Sequence, residues 1–351
     1  MTMRCVIVDV DDITIRDVPV PTPGAGEVLV RTTAVGICGS DTHAAHGRHP
    51  FVALPYAPGH EVLGVVAETG ASMDGFPTGQ RVVVEPDLPC SDCKMCNTGR
   101  ENLCENLRFF GCGWEQGGLA DYFTIPANRL HPVPDDLDDR AAALIEPLST
   151  PVHAVRLGGP VDGKAVAVLG AGPIGLLVLK VLRAHGARRI VVTDVLDTKQ
   201  DLAVQFGADA AVDARAQDVV EQVRTALGES ADVVFDCVAA EATLGQAVAM
   251  ASKGGTVVVV GVPTGRAHLS MPVIQDHQIR IQGSATYLPD DYVESIRLLH
   301  EGAVRSEDFV TAVYPVIDVS EAFVQAGSGQ HLKVLVDVAG TLTAGAGQTN
   351  R

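Results

Sequence analysis

Residues 165–175 constrain the fold more than any other stretch. Ala165-Val166-Ala167-Val168-Leu169 is an unbroken apolar run, the composition of a strand buried on both faces of a parallel sheet. It leads directly into Gly170-Ala171-Gly172-Pro173-Ile174-Gly175, and a helical apolar pattern follows through Leu176, Leu177, Leu179 and Leu182 to Gly186. Glycines at this spacing permit a tight turn and let a pyrophosphate approach the helix N-terminus. The spacing alone is weak evidence, and its flanking strand and helix strengthen it. So does Arg189-Ile190-Val191-Val192-Thr193-Asp194, a second strand ending in a carboxylate placed for ribose hydroxyls. A carboxylate there repels a 2'-phosphate, which favours NAD over NADP. The alternation then continues with helices near 199–206, 216–227 and 241–251. Strands are expected at 211–212, 232–236, 256–260 and 278–283. Six strands at this spacing describe a doubly wound parallel sheet.

The first 148 residues have a different texture. Short apolar or alternating runs at 5–8, 27–33 and 62–68 are interrupted by Gly and Pro, as in Pro19-Val20-Pro21-Thr22-Pro23-Gly24. They imply an antiparallel, barrel-like β domain. Within it Cys38-Gly39-Ser40-Asp41-Thr42-His43 and Gly59-His60-Glu61 appear, with Glu146-Pro147-Leu148 much later. One thiolate, one imidazole and one carboxylate form the mixed set that a catalytic zinc takes when a fourth position stays open. A histidine taken singly is an ordinary surface or core residue, and a carboxylate before Pro is often only the start of a helix.

Between these segments lies Cys90-x2-Cys93-x2-Cys96-x7-Cys104, the strongest local signal in the chain. Four thiolates at such spacing close a tetrahedral structural zinc site; an iron–sulfur cluster is the alternative. Pro89, Asp92, Asn97-Thr98-Gly99 and Asn102 are loop formers, so the metal supplies the folding energy of a lobe spanning 86–106. Eight cysteines, four of them crowded together, fit metal binding in a reducing, cytoplasmic setting. A formal charge of -17 argues against a nucleic-acid partner. No apolar run is long enough for a membrane span.

These motifs together resemble the zinc-containing medium-chain alcohol dehydrogenase family, on its sorbitol (polyol) and threonine dehydrogenase branch, over roughly residues 3–338. The resemblance implies an α/β protein with a GroES-like β-barrel catalytic domain, 1–148, and a Rossmann coenzyme domain, 149–284. The chain then returns to the first domain over 285–338, and 339–351 form a flexible tail. It implies Cys38, His60 and Glu146 as ligands of the catalytic zinc, with Glu61 beside the metal and Asp41 holding the ligand imidazole. Ser40 takes the substrate proton and His43 passes it on. In the coenzyme domain Gly170, Gly172, Pro173, Ile174, Gly175, Asp194 and Lys199 meet NAD. Cys237 and Val238 approach its adenine side, and Gly261, Val262, Ala285, Thr286 and Tyr287 its nicotinamide. Cys237 is equally readable as an ordinary buried residue. Trp114, the only tryptophan, is either a cleft or a core residue.

The implied activity is zinc- and NAD-dependent oxidation of a secondary alcohol, polyol-like or cyclic, to a ketone, and its reverse. Two zinc ions per chain and a homo-oligomer, dimer or tetramer, are expected. Two departures weaken the polyol assignment: Ala44 stands where that branch usually has tyrosine after the relay histidine, and Thr286 where it often has arginine. Both remove polar contacts to a polyhydroxylated chain. A threonine-type amino-alcohol dehydrogenase is the alternative enzyme, and a catalytically idle nucleotide-binding regulator the alternative outside catalysis. Zinc-free quinone reductases lack both cysteine motifs.

Overall fold

The computed structural model describes residues 1–10, 12–47, 52–71, 75–263 and 265–342. The chain forms two compact units, Met1–Glu146 with Arg305–Arg351, and Pro147–Val304.

The first unit is built on a seven-stranded sheet. Along it run Val310–Pro315, Lys333–Asp337, Glu27–Ile37, Glu61–Thr69, Arg81–Val84 and Leu130–Pro132, and Tyr122–Pro126 pairs with Glu27–Ile37 as well. Every pairing is antiparallel except that of Val310–Pro315 with Lys333–Asp337. Val28, Val30, Val35, Val62, Val66, Val82, Phe110 and Phe123 fill its core. Register does the functional work here. Gly36 faces Glu61 and Val334 faces Ile37, so the end of one strand, the start of the next and a C-terminal strand converge.

In the second unit six parallel strands lie in the order Ala210–Asp213, Arg189–Asp194, Ala165–Leu169, Ala231–Asp236, Ala251–Val259, Arg280–Gly283. The sequence reverses direction on either side of Ala165–Leu169, which is the doubly wound arrangement. Ala165, Ala167 and Leu169 are fully buried with Val191, Val234 and Val257. The intervening helices are Pro173–Ala184, Asp197–Gln205, Val219–Leu227, Glu241–Met250 and the short Met271–Asp276.

This unit runs past the expected end at 284. Helix Pro289–His300 is tied to helix Ile145–Gly158 by His153 Nδ1 to Asp291 Oδ2 at 2.8 Å, Arg156 to the same oxygen at 2.9 Å, and Ser149 to Ser295 at 3.1 Å. The return to the first unit therefore begins at Arg305 and not at 285. Of the expected flexible tail, Gly340, Thr341 and Leu342 donate backbone N–H bonds to the Asp337 carboxylate; residues 343–351 lie outside the described residues.

Candidate metal centres and nucleotide loop

Strand Glu27–Ile37 ends at Cys38, whose extended backbone caps helix Gly39–Ala45. Asp41, on the first turn, accepts the Cys38 N–H at 3.0 Å and the Tyr56 hydroxyl at 3.3 Å. Burial raises the Asp41 pKa, opposed by the nearby His60 and by these hydrogen bonds. His60 immediately precedes strand Glu61–Thr69, and the register of that strand with Glu27–Ile37 brings it to Cys38. The ligand atoms of Cys38, His60 and Glu61 lie within 4.8 Å of one another.

The His60 ring is buried, with the Cys38 sulfur within 4.8 Å of its ligand atom. Its Nδ1 has no hydrogen-bond partner among the described residues, and Asp41 Oδ1 stands 3.7 Å away. Burial disfavours the imidazolium, but the charges of Asp41, Cys38 and Glu146 outweigh it and hold the pKa well above the ordinary value. An environment that attracts a proton so strongly also attracts a metal cation. The donor set, one sulfur, one imidazole and buried carboxylates, fits zinc.

Glu61 is already engaged. Lys333 Nζ donates to both its oxygens, at 2.6 and 2.7 Å, and to the Ile37 carbonyl at 3.3 Å. Gly36 makes the room, because a Cβ there would lie 1.9 Å from Glu61 Oε2. Burial lowers the Lys333 pKa, and Glu61, Cys38 and Glu146 together more than restore it. Glu146 is buried in the first turn of helix Ile145–Gly158. Its charge acts on both His60 and Lys333, although its carboxylate is not among the three clustered ligand atoms. Ser40 is half-buried and His43 exposed, both on the short helix Gly39–Ala45.

Sequence reasoning missed Lys333 and Cys112. A lone lysine inside the apolar run Leu332-Lys333-Val334-Leu335-Val336 was the available signal for the first. Cys112 feels the charges of His60, Asp41 and Cys38, which places it beside this centre, and burial pushes its thiol up to about 11. Trp114 is half-buried at the edge of the barrel core, with the Arg108 guanidinium 4.2 Å above its ring.

The four cysteines of the lobe converge as their spacing implied. Their sulfurs all lie within 4.8 Å, with Cys93 to Cys96 at 3.5 Å, Cys93 to Cys104 at 3.9 Å and Cys90 to Cys104 at 3.4 Å. Sulfurs about 2.3 Å from a tetrahedral zinc are separated by about 3.8 Å, so the cluster has the right size. All are free thiols. Backbone N–H groups of Cys90 and Asn106 point at Cys104 Sγ. The backbone N–H of Cys96 leads the interactions that draw Cys93 down to about 6.

In the second unit the glycine motif behaves as its spacing demands. Gly170 takes a positive φ of 94°, and a Cβ on Gly175 would lie 1.9 Å from the Gly170 carbonyl oxygen. Gly172 caps helix Pro173–Ala184, with Pro173 and Ile174 in its first turn. Asp194 accepts the Ala171 N–H at 2.8 Å and the Leu196 N–H at 2.9 Å, which locks the second strand end to the glycine turn. Lys199 lies half-buried on the next helix. Cys237 and Val238 follow strand Ala231–Asp236, and a Cβ on Gly261 would touch the Val238 backbone at 2.8 Å. Desolvation pushes the half-buried Cys237 thiol far above its ordinary range. Asp236, not foreseen, shapes this turn by accepting from Val238, Ala239 and Thr243. Val262 and Ala285 are exposed and Thr286 has a positive φ of 45°. Tyr287 is buried edge-on against Tyr292, ring centres 5.2 Å apart.

Comparison with known proteins joins these parts. Residues 24–135 match the alcohol dehydrogenase GroES-like domain and residues 173–301 the zinc-binding dehydrogenase domain. The sorbitol dehydrogenase of Bacillus subtilis (strain 168) is 34% identical over 332 residues, 93% of this chain and 94% of that protein. The chain belongs to the zinc-binding dehydrogenase family. Solved structures of similar proteins agree with it over nearly their whole length. One, described as a zinc-binding dehydrogenase from Sinorhizobium meliloti 1021 and bound to NADP, has a TM-score of 0.89 at 33% identity, covering 96% of this chain and 100% of that one. The 2R,3R-butanediol dehydrogenase of Bacillus subtilis has a TM-score of 0.89 at 29% identity, covering 96% and 99%. Like other zinc-binding dehydrogenases, the protein is an oxidoreductase that combines a GroES-like domain with a Rossmann-type parallel sheet. No helix among the described residues is long and apolar enough to cross a membrane.

Proposed function

We propose that this zinc-binding dehydrogenase oxidises a secondary alcohol to a ketone with NAD, and runs the reverse reaction, by hydride transfer between the substrate carbon and the nicotinamide. The observation that supports the reading is the half-buried Cys38 thiol beside the buried His60, with buried carboxylates in an environment that favours a cation. Cys38, His60 and Glu146 hold the catalytic zinc, and Cys90, Cys93, Cys96 and Cys104 the structural one. Zinc, when bound, supplies the Lewis acidity that lowers the pKa of the substrate hydroxyl. Asp41 orients His60, and Lys333 keeps Glu61 paired beside the metal. Ser40 receives the hydroxyl proton and His43, exposed three residues on, passes it to solvent.

Asp194 selects NAD, because a 2'-phosphate placed beside it meets a carboxylate already fixed by two backbone N–H groups. Ala44 and Thr286 point to a substrate less polar than a hexitol, a small diol or cyclic secondary alcohol. The enzyme is cytoplasmic, in keeping with eight unpaired thiols, and a homo-oligomer. The open edge of strand Arg280–Gly283, with Ile281 exposed, suits pairing with a second copy.

NAD reduction measured across polyols, amino alcohols, diols and cyclic alcohols tests the proposal. Turnover on a secondary alcohol that is lost in the Cys38→Ser variant is expected. Turnover on amino alcohols alone would move the enzyme to the threonine type, and none on any alcohol would overturn the reading.

A further inference from the structure

The four-cysteine lobe is usually thought of as a fold element, but here its return strand touches the other centre. The lobe is the loop of a minimal hairpin: Asp87–Leu88 pairs with Arg108–Phe109, Asp87 opposite Phe109 and Leu88 opposite Arg108. Everything between these two-residue strands is lobe. Phe109, the last residue of the hairpin, sets its ring against the His60 imidazole with centroids 5.5 Å apart and planes at 68°. The next residues lock that placement. Phe110 is fully buried against Phe123, and its N–H donates to the Pro86 carbonyl at 2.9 Å. Gly111 lies so close behind His60 that a Cβ would be 2.1 Å from the Gly59 oxygen and 2.9 Å from the His60 nitrogen. At the other end the lobe is moored by Arg129, buried, which bonds Glu101 at 2.7 Å and Glu85 at 2.8 Å.

We infer that Phe109 is a positioning residue for His60, and that through it metal in the four-cysteine lobe sets the geometry of the catalytic metal site. A two-residue ladder is marginal in water; Phe110 and Arg129 fix its flanks, and closing the long loop between Cys90 and Cys104 falls to the metal. With the loop closed, the Phe109 ring restrains rotation of the imidazole on the side not covered by Asp41. With it open, His60 keeps only Cys38 and Glu61 nearby and Asp41 at a distance too long for a hydrogen bond. The two sites are then coupled, the lobe supporting the catalytic centre and, by linkage, metal at that centre favouring the closed lobe.

The inference rests on His60 being a ligand, so the test separates the two. Full-length protein is loaded with cobalt(II), whose mixed-ligand site and four-sulfur site absorb differently, and cobalt release to a chelator is followed at each site. His60→Ala removes the mixed-site band if His60 is a ligand; retention of that band overturns the ligand reading itself. Phe109→Ala is expected to leave the four-sulfur band unchanged while shifting the mixed-site band and speeding its metal release by roughly tenfold. Phe109→Tyr, which keeps the ring, restores both, and Cys96→Ser reproduces the shift. Phe109→Leu keeps apolar volume without a ring and reads the same effect if the alanine variant does not fold. An unshifted band and wild-type release rate in a folded Phe109 variant lacking the ring, with His60→Ala behaving as a ligand variant, would overturn the coupling alone.

Discussion

Glu61 and Glu146 are both buried near His60, yet their surroundings divide the labour between them. Glu61 is clustered with Cys38 and His60 but has both oxygens taken by Lys333. Glu146 acts on His60 through its charge from the start of a helix. On the proposed assignment, Glu146→Ala abolishes turnover and weakens catalytic zinc by about a hundredfold while leaving NAD affinity near normal. Metal content and NAD titration of the variant check this. Glu61→Gln is expected to retain the metal; if it loses zinc and Glu146→Ala does not, the ligand roles are exchanged. Lys333→Met strands a buried carboxylate and is expected to cost about 3 kcal/mol of stability in urea denaturation. At the other site, Asp194→Ser is expected to narrow an NAD preference of at least about tenfold, and to weaken NAD binding as well, since Asp194 also braces the glycine turn at Ala171. That the four lobe cysteines converge and that the glycine turn forms could be read from the sequence, because thiolates and glycines at fixed spacing have few other uses. Lys333 and Cys112 could not, because only strand register and loop packing bring them to Cys38 and His60.

At the scale of elements, the parallel sheet was legible because its strands are apolar on both faces and bounded by glycines. The strand Ala251–Val259 starts earlier than its apolar run at 256, in a polar segment that tertiary pairing with Ala231 recruits. At Glu146-Pro147 the start of a helix could be read, but not its run from Ile145 to Gly158 through the internal Pro151. The hairpin Asp87–Leu88 with Arg108–Phe109 is too short to carry any periodicity. Its dependence on metal has a direct consequence: Cys96→Ser is expected to make the loop between Cys90 and Cys104 a site of proteolytic nicking, while the parallel-sheet unit keeps its protection. Limited proteolysis with mapping of the cut sites checks this, and equal resistance of wild type and variant would show that the lobe holds without its metal.

For the whole molecule, the sequence told that there were two units but not where the chain returns. That boundary is set by the buried His153–Asp291 and Ser149–Ser295 contacts, which fasten helix Pro289–His300 to the second unit across more than a hundred residues of chain. On the proposed function, one chain carries two chemically different zinc sites, one for structure and one for alcohol chemistry. Zinc-edge X-ray absorption on protein purified without chelator, with the zinc content fixed on the same sample, tests it most directly. Two zinc ions per chain are expected, with an averaged first shell combining a four-sulfur site and a site of one sulfur with nitrogen and oxygen. A single zinc per chain, or a first shell of sulfur alone, would contradict it.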